Sequence, residues 1–157
     1  MIVTLFVMVA ASSAPYSPAK ITSAEKKSFI EFAMALPREG EGFTEEAGKL
    51  AAPHIGVFLA LGTKDVNDFL EVHLTYLIGP ILEQKDARIF CLHNYSKIVH
   101  PSFKIIIGIY LFEKKHASTE VVSYLRQALE TEKGKELFED LLGSGVDDFK
   151  ARLNSDK

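Results

Sequence analysis

The sequence has little cysteine, no tryptophan and no large cluster of positive charge. Its 157 residues include a single cysteine, Cys91, so the chain cannot form an internal disulfide bond and depends on its core for stability. Tryptophan is absent, and the lysines and arginines form no basic stripe in a chain of formal net charge −3. Because nucleic-acid binding relies on clustered positive charge, we expect no nucleic-acid partner.

Catalytic signatures are also missing. The sequence contains no GxSxG, HExxH or CxxC motif and no glycine-rich phosphate loop. Cys91 and His93 are two positions apart, and on a helix their side chains would point about 200° away from each other. They therefore cannot act as a nucleophile and its base. We expect the protein not to be an enzyme.

The N-terminal segment differs in composition from the rest of the chain. Residues 1–14 carry no charged side chain, and an apolar run is followed by the small residues of a typical cleavage site. The run is too short to cross a bilayer as a helix. We therefore predict a secretory signal peptide at 1–14 and a secreted domain at 15–157 without a membrane span. The alternative is an N-terminal strand or helix that belongs to the core.

Apolar residues make up 47% of the chain and charged residues 25%, which is typical of a folded globular domain. Helix signals recur throughout. Thr22 and Glu25 match a capping box at the start of a helix that ends before Pro37. Residues 38–42 are expected to form a loop, and Thr44 caps the next helix.

The second half of the chain continues the helical pattern. Thr63 with Asp65 is expected to open a helix whose apolar face includes Phe69, His73 and Leu77. A shorter helix is predicted over 86–99. The apolar, β-branched segment at about 102–115 is interpreted as a buried central helix rather than a strand, since no partner strand is in sight. The prediction is an all-α, single-domain bundle of about six to eight short helices around that buried helix.

An all-helical secreted domain with abundant apolar surface suggests a carrier of a water-insoluble molecule. Sparing such a ligand from water contributes about 0.8 kcal/mol per CH₂ group, and only a few polar groups are needed to orient it. We predict a non-enzymatic binding protein that encloses a fatty acid, a retinoid or a similar lipid and needs no cofactor. The predicted ligand-binding residues are Phe69, His73, Tyr76, Leu77, Lys104 and Tyr110.

The segment from Leu92 to Phe103 supports an alternative. Leu92-His93, Val99, Pro101 and Phe103 resemble the part of the globin family in which an iron-binding histidine precedes a proline that opens the next long helix. The segment 77–82 is similar to the end of that family's distal helix, and Leu36-Pro37 with Phe43 are similar to the residues at the haem edge. The resemblance implies haem as a cofactor, with His93 as its proximal iron ligand.

A third hypothesis is a helical interaction module that binds a partner protein. Such a module would present an exposed apolar patch of several hundred Å² instead of an enclosed cavity. Sequence patterns alone do not distinguish a patch from a cavity, and they leave the oligomeric state open.

Overall fold

The computed structural model describes residues 15–155, and the predicted signal peptide at 1–14 lies outside them. The all-α class is confirmed. The helices are α1 Ser23–Met34, α2 Glu45–Ala51, α3 Ile55–Ala60, α4 Asp68–Leu82, α5 Lys85–His93, α6 Pro101–Glu113, α7 Thr119–Leu129, α8 Glu132–Leu142 and α9 Val146–Ser155. Short 3₁₀ turns lie at Pro18–Lys20, Ala52–His54, Tyr95–Lys97 and Gly143–Gly145.

The helix starts follow the capping signals in the sequence. Thr22 and Glu25 form the predicted capping box, in which the Glu25 amide donates to the Thr22 hydroxyl and the Glu25 carboxylate accepts from the Thr22 amide. Thr44 and Ser118 accept hydrogen bonds from the amides three residues later at the starts of α2 and α7. These local bonds satisfy amides that have no partner within the helix.

Three predicted boundaries were wrong. Residues 38–42, predicted as a loop, belong to a short β-hairpin whose strands have two residues each, β1 at Arg38–Glu39 and β2 at Gly42–Phe43. The tight turn between them closes because Gly40 adopts a φ of +60°. Helix α4 begins after Asn67 because the Asn67 side chain accepts from the amide of Leu70. Helix α5 ends at His93, and a 3₁₀ turn replaces the end of the predicted helix at 86–99.

The predicted buried helix is confirmed as α6. Phe103, Ile105, Ile107 and Leu111 are each at most 1% exposed. The ring of Phe103 stacks on that of Phe58 from α3, with centroids 5.1 Å apart. Helices α4, α7 and α8 pack against α6, so the most apolar helix has neighbours on several sides.

Candidate docking face on helix α4

Helix α4 carries apolar side chains on two opposite sides, of which the core covers one, and Asp68, Glu71 and Thr75 lie between them. Its inner side chains, Leu74, Leu77, Ile78, Ile81 and Leu82, are each at most 1% exposed. A helix turns by 100° per residue, which places Phe69, Val72 and Tyr76 within about 60° of one another on the side opposite that core. These three side chains are 61%, 52% and 47% exposed. The prediction that Phe69 belongs to the inward face was therefore wrong.

His73 completes this exposed surface, which we call the outer stripe and define as Phe69, Val72, His73 and Tyr76. Nδ1 of His73 donates to the Phe69 carbonyl oxygen at 2.8 Å, and the two rings lie with their centroids 4.0 Å apart. The hydrogen bond and the ring contact hold the imidazole along the helix.

The size of the outer stripe is notable for a single helix. An aromatic side chain carries about 150–250 Å² of surface, so the three half-exposed apolar side chains present about 300 Å² together. The largest apolar patch of a typical monomer measures about 300–600 Å² and is often functional. Val72 was missed by sequence reasoning, although its helical spacing from Phe69 and Tyr76, three and four residues away, was a signal that could have found it.

A shallow groove continues the outer stripe beyond its C-terminal end. Glu45, Gly79, Pro80, Glu83, Gln84 and Tyr110 line it. The Tyr110 hydroxyl donates to the Glu83 carboxylate, whose pKa is lowered by that hydrogen bond and by the one from Lys114. Burial and the bond to Glu83 raise the pKa of Tyr110. From Phe69 to Glu83 the face extends for about 21 Å, since a helix rises by about 1.5 Å per residue.

Carboxylates flank this face, and Glu83 at its C-terminal end is paired with Lys114 at 3.1 Å. Helix α4 contains Asp68 and Glu71 but no lysine or arginine, and Glu83 follows its last turn. Nearby Lys26 is engaged with Asp65 at 3.0 Å, so that lysine is not directed at the stripe. Acidic groups thus stand at both ends of the apolar surface.

The structure brings together only part of the predicted ligand-binding set. Phe69, His73 and Tyr76 share the outer stripe, and Tyr110 lies in the adjoining groove. Leu77 is fully buried in the core beneath them.

Lys104 lies elsewhere, with its amino group 4.3 Å from the Tyr124 ring centroid and 5.3 Å from that of Tyr95. Burial lowers the Lys104 pKa. The six residues therefore do not line one cavity, and the prediction of an enclosed lipid gains no support from their placement.

His93 is an exposed residue at the C-terminal end of α5. A haem ligand needs an apolar enclosure, which a ring at the surface does not have. Among residues 15–155, no group of three or more histidine, cysteine, aspartate or glutamate side chains is placed to hold a metal ion. Haem binding stays a prediction, and the position of His93 weighs against it.

Two further observations bear on the predicted location of the protein. Asn94, the acceptor residue of a glycosylation sequon, is 8% exposed and donates its side-chain amide to the Phe90 carbonyl oxygen at 3.0 Å. A glycan there would have to leave from a side chain that is almost fully buried. Across the described part of the chain, no helix combines the length and the apolar content that a membrane span requires.

Comparisons with known proteins leave the family open. No family model matches the chain, and no solved structure gives a significant match. A tRNA (guanine(9)-N1)-methyltransferase from Candida glabrata is 26% identical over 91 residues, which is 56% of this chain. The chain spans 32% of the length of that enzyme, so the similarity is partial and does not place the chain in its family.

Proposed function

We propose that this protein is a non-enzymatic interaction module that binds an amphipathic helix of a partner protein along the outer face of α4. The observation that carries the proposal is the exposure of Phe69, Val72 and Tyr76 on the side of α4 that faces away from the core. A helix on the surface of a globular domain ordinarily carries charged residues there. A partner helix that lies along this face would remove the three side chains from water.

The area favours a partner segment of modest affinity. Burying about 300 Å² on each side corresponds to about 15 kcal/mol of gross hydrophobic stabilisation. Association and side-chain ordering remove a large part of this, at a cost of about 4–15 kcal/mol. We therefore expect a Kd of about 1–100 μM, which is typical of a reversible interaction.

Charge argues against a second copy of this chain in parallel orientation as the occupant. In a two-fold dimer the α4 helices would pair either antiparallel or parallel. In the parallel arrangement Asp68 of one copy would face Asp68 of the other, so that like charges meet; in the antiparallel arrangement it would face Glu83, which is already paired with Lys114 at 3.1 Å.

The same charges define the chemistry of the partner. It needs apolar side chains at positions i, i+3 or i+4, and i+7, which fit against the outer stripe. Lysine or arginine at its ends would complement Asp68 and the acidic groove around Glu83. The partial similarity to a tRNA methyltransferase covers 32% of that enzyme, and the net charge of −3 and the absence of a basic stripe in the sequence do not favour an RNA partner.

A fluorescent synthetic peptide tests the proposal directly. The peptide is about 18 residues long, with leucine at the helical i, i+3, i+4 and i+7 positions and lysine elsewhere. A peptide of the same composition in scrambled order is the control for charge alone. Fluorescence anisotropy should show saturable binding of the first peptide, and the double variant Phe69→Ser/Tyr76→Ser should lose about tenfold or more in affinity.

Ile89→Ser is the matched control variant, because Ile89 is also a surface-exposed apolar residue, 39% exposed, but lies on α5. This variant should bind like the wild type. Equal binding by all variants, or no preference over the scrambled peptide, contradicts the proposal. Phosphatidylcholine vesicles provide a separate comparison: binding to them that depends on Phe69, without binding to the peptide, would assign the face to a lipid surface.

A further inference from the structure

His100 is a buried histidine that stacks on a phenylalanine ring and lies near one carboxylate. It immediately precedes α6 and is 2% exposed. Neither ring nitrogen has a hydrogen-bond partner among the described residues. The imidazole stacks on the Phe103 ring with centroids 4.2 Å apart and an interplanar angle of 28°. A neutral ring is suited to this environment, because the stacked phenylalanine contacts its flat apolar faces.

The charged groups around His100 come from two neighbouring helices. Glu71 of α4 places a carboxylate oxygen 3.5 Å from Nε2 and favours the imidazolium, whereas Lys133 of α8 opposes it. Burial has the largest effect and lowers the pKa of His100 below its ordinary value. His100 therefore stays neutral in the folded protein under conditions in which an exposed histidine takes up a proton.

We propose that His100 is an acid-sensitive element whose protonation loosens the packing of α4 and α8 against the start of α6. A protonated imidazole has two N–H donors, and both need acceptors when buried. Glu71 can serve Nε2, but Nδ1 faces no acceptor within the described residues. Hydrating that second donor requires the neighbouring helices to separate. This inference concerns the core and does not depend on the proposed binding function.

The direction of the pH effect follows from proton binding in the two states. An unfolded histidine has a pKa of about 6.5 and the buried His100 has a lower one, so below about pH 6.5 the unfolded chain binds more protons at this position than the folded chain does. Stability is therefore fully present above about pH 6.5 and falls as the pH decreases through that value. One such histidine raises the unfolding equilibrium constant by up to about tenfold per pH unit.

Other histidines must be separated from this effect. Burial also lowers the pKa of His54, which packs edge-on against Phe32, so His54 contributes an effect of the same sign. His93 is exposed and supplies a matched control. The comparison is therefore between the full-length wild type, His100→Gln and His93→Gln.

Two measurements on these proteins test the proposal. Urea unfolding gives the equilibrium constant of unfolding at pH 7.5 and pH 5.5. Acidification should raise this constant more in the wild type than in His100→Gln, by up to about tenfold per pH unit. His93→Gln should respond to acid like the wild type. Hydrogen exchange corrected for intrinsic rates should accelerate at pH 5.5 in α4 and at the start of α6 more than in α7, in the wild type but not in His100→Gln. Equal acid sensitivity in the wild type and His100→Gln, or acceleration spread evenly over the helices, overturns the proposal. If His100→Gln does not fold, an NMR titration of the wild type decides: a His100 pKa at or above about 6.5 overturns the proposal and a lower one supports it.

Discussion

Replacing Gly48 by alanine tests how α2 is held against α4, the helix that presents the outer stripe. Gly48 is buried in α2 and faces the last turns of α4. A Cβ atom at this position would lie 2.7 Å from the Cβ of Pro80, and the Pro80 carbonyl carbon and oxygen would be closer still. Because the obstruction includes backbone, a change of rotamer cannot relieve it.

The size of the effect follows from this geometry. Carbon atoms in contact are normally about 3.5–4.0 Å apart, so α2 and α4 must separate by about 1 Å. Overpacking of this kind costs about 1–3 kcal/mol, occasionally more. Alanine in a helix regains about 1 kcal/mol relative to glycine. Because the obstruction includes backbone, the cost falls at the upper end of that range, and we expect a net destabilisation of about 2 kcal/mol, or a decrease in Tm of about 4–8 °C for a chain of this length.

The assay is urea and thermal unfolding followed by circular dichroism at 222 nm, since the chain has no tryptophan for fluorescence. Gly79→Ala is the matched control: it lies on α4 next to Pro80, but its Cβ would meet only a Tyr110 ring carbon at 3.9 Å. That ordinary contact should let the control gain up to about 1 kcal/mol from helix propensity. If Gly48→Ala is as stable as the wild type or more stable, the close approach of α2 to α4 is refuted.

Two further predictions concern the core. Cys91 is 0% exposed, and burial raises its thiol pKa to about 12, so Ellman's reagent at pH 8 should label the native protein at least about 100-fold more slowly than the urea-unfolded protein. Prompt labelling of the native protein would contradict this burial. Tyr95→Phe removes the hydrogen bond that the Tyr95 hydroxyl donates to the Lys104 carbonyl oxygen at 2.9 Å, and should cost about 1 kcal/mol. The same unfolding assay measures it, and an unchanged midpoint would show that this bond contributes nothing.

Local signals allowed much of the fold to be predicted from the sequence. The predicted caps at Thr22 and Thr44 form hydrogen bonds to amides only three residues away, so predicting them requires no knowledge of distant contacts. The start of α6 at Pro101 is similarly local. The start of α4 was predicted too early because Asp65 and Asn67 are both suitable capping residues by type. In the structure Asp65 accepts from the Gly62 amide and from Lys26 instead.

The candidate site was predicted only in part, because it depends on which side of α4 the rest of the fold covers. Phe69, His73 and Tyr76 were chosen as lining of an internal cavity, and in the structure they lie on the surface. Lys104 was included for its charge, but it contacts two tyrosines away from α4. The importance of His100 depends on Glu71 and Phe103 lying around it, and only the packing of α4 and α6 places them there.

By itself, then, the sequence determined that the chain forms short capped helices around an apolar helix at its centre. The tertiary structure decided which side of α4 faces water. Helix α4 carries apolar side chains on two opposite sides, so its own pattern does not select the inner one, and the small side chains of α2 allow a close approach at Pro80. Once Leu74, Leu77 and Ile81 are packed, the opposite face of the same helix remains exposed because nothing else in residues 15–155 covers it.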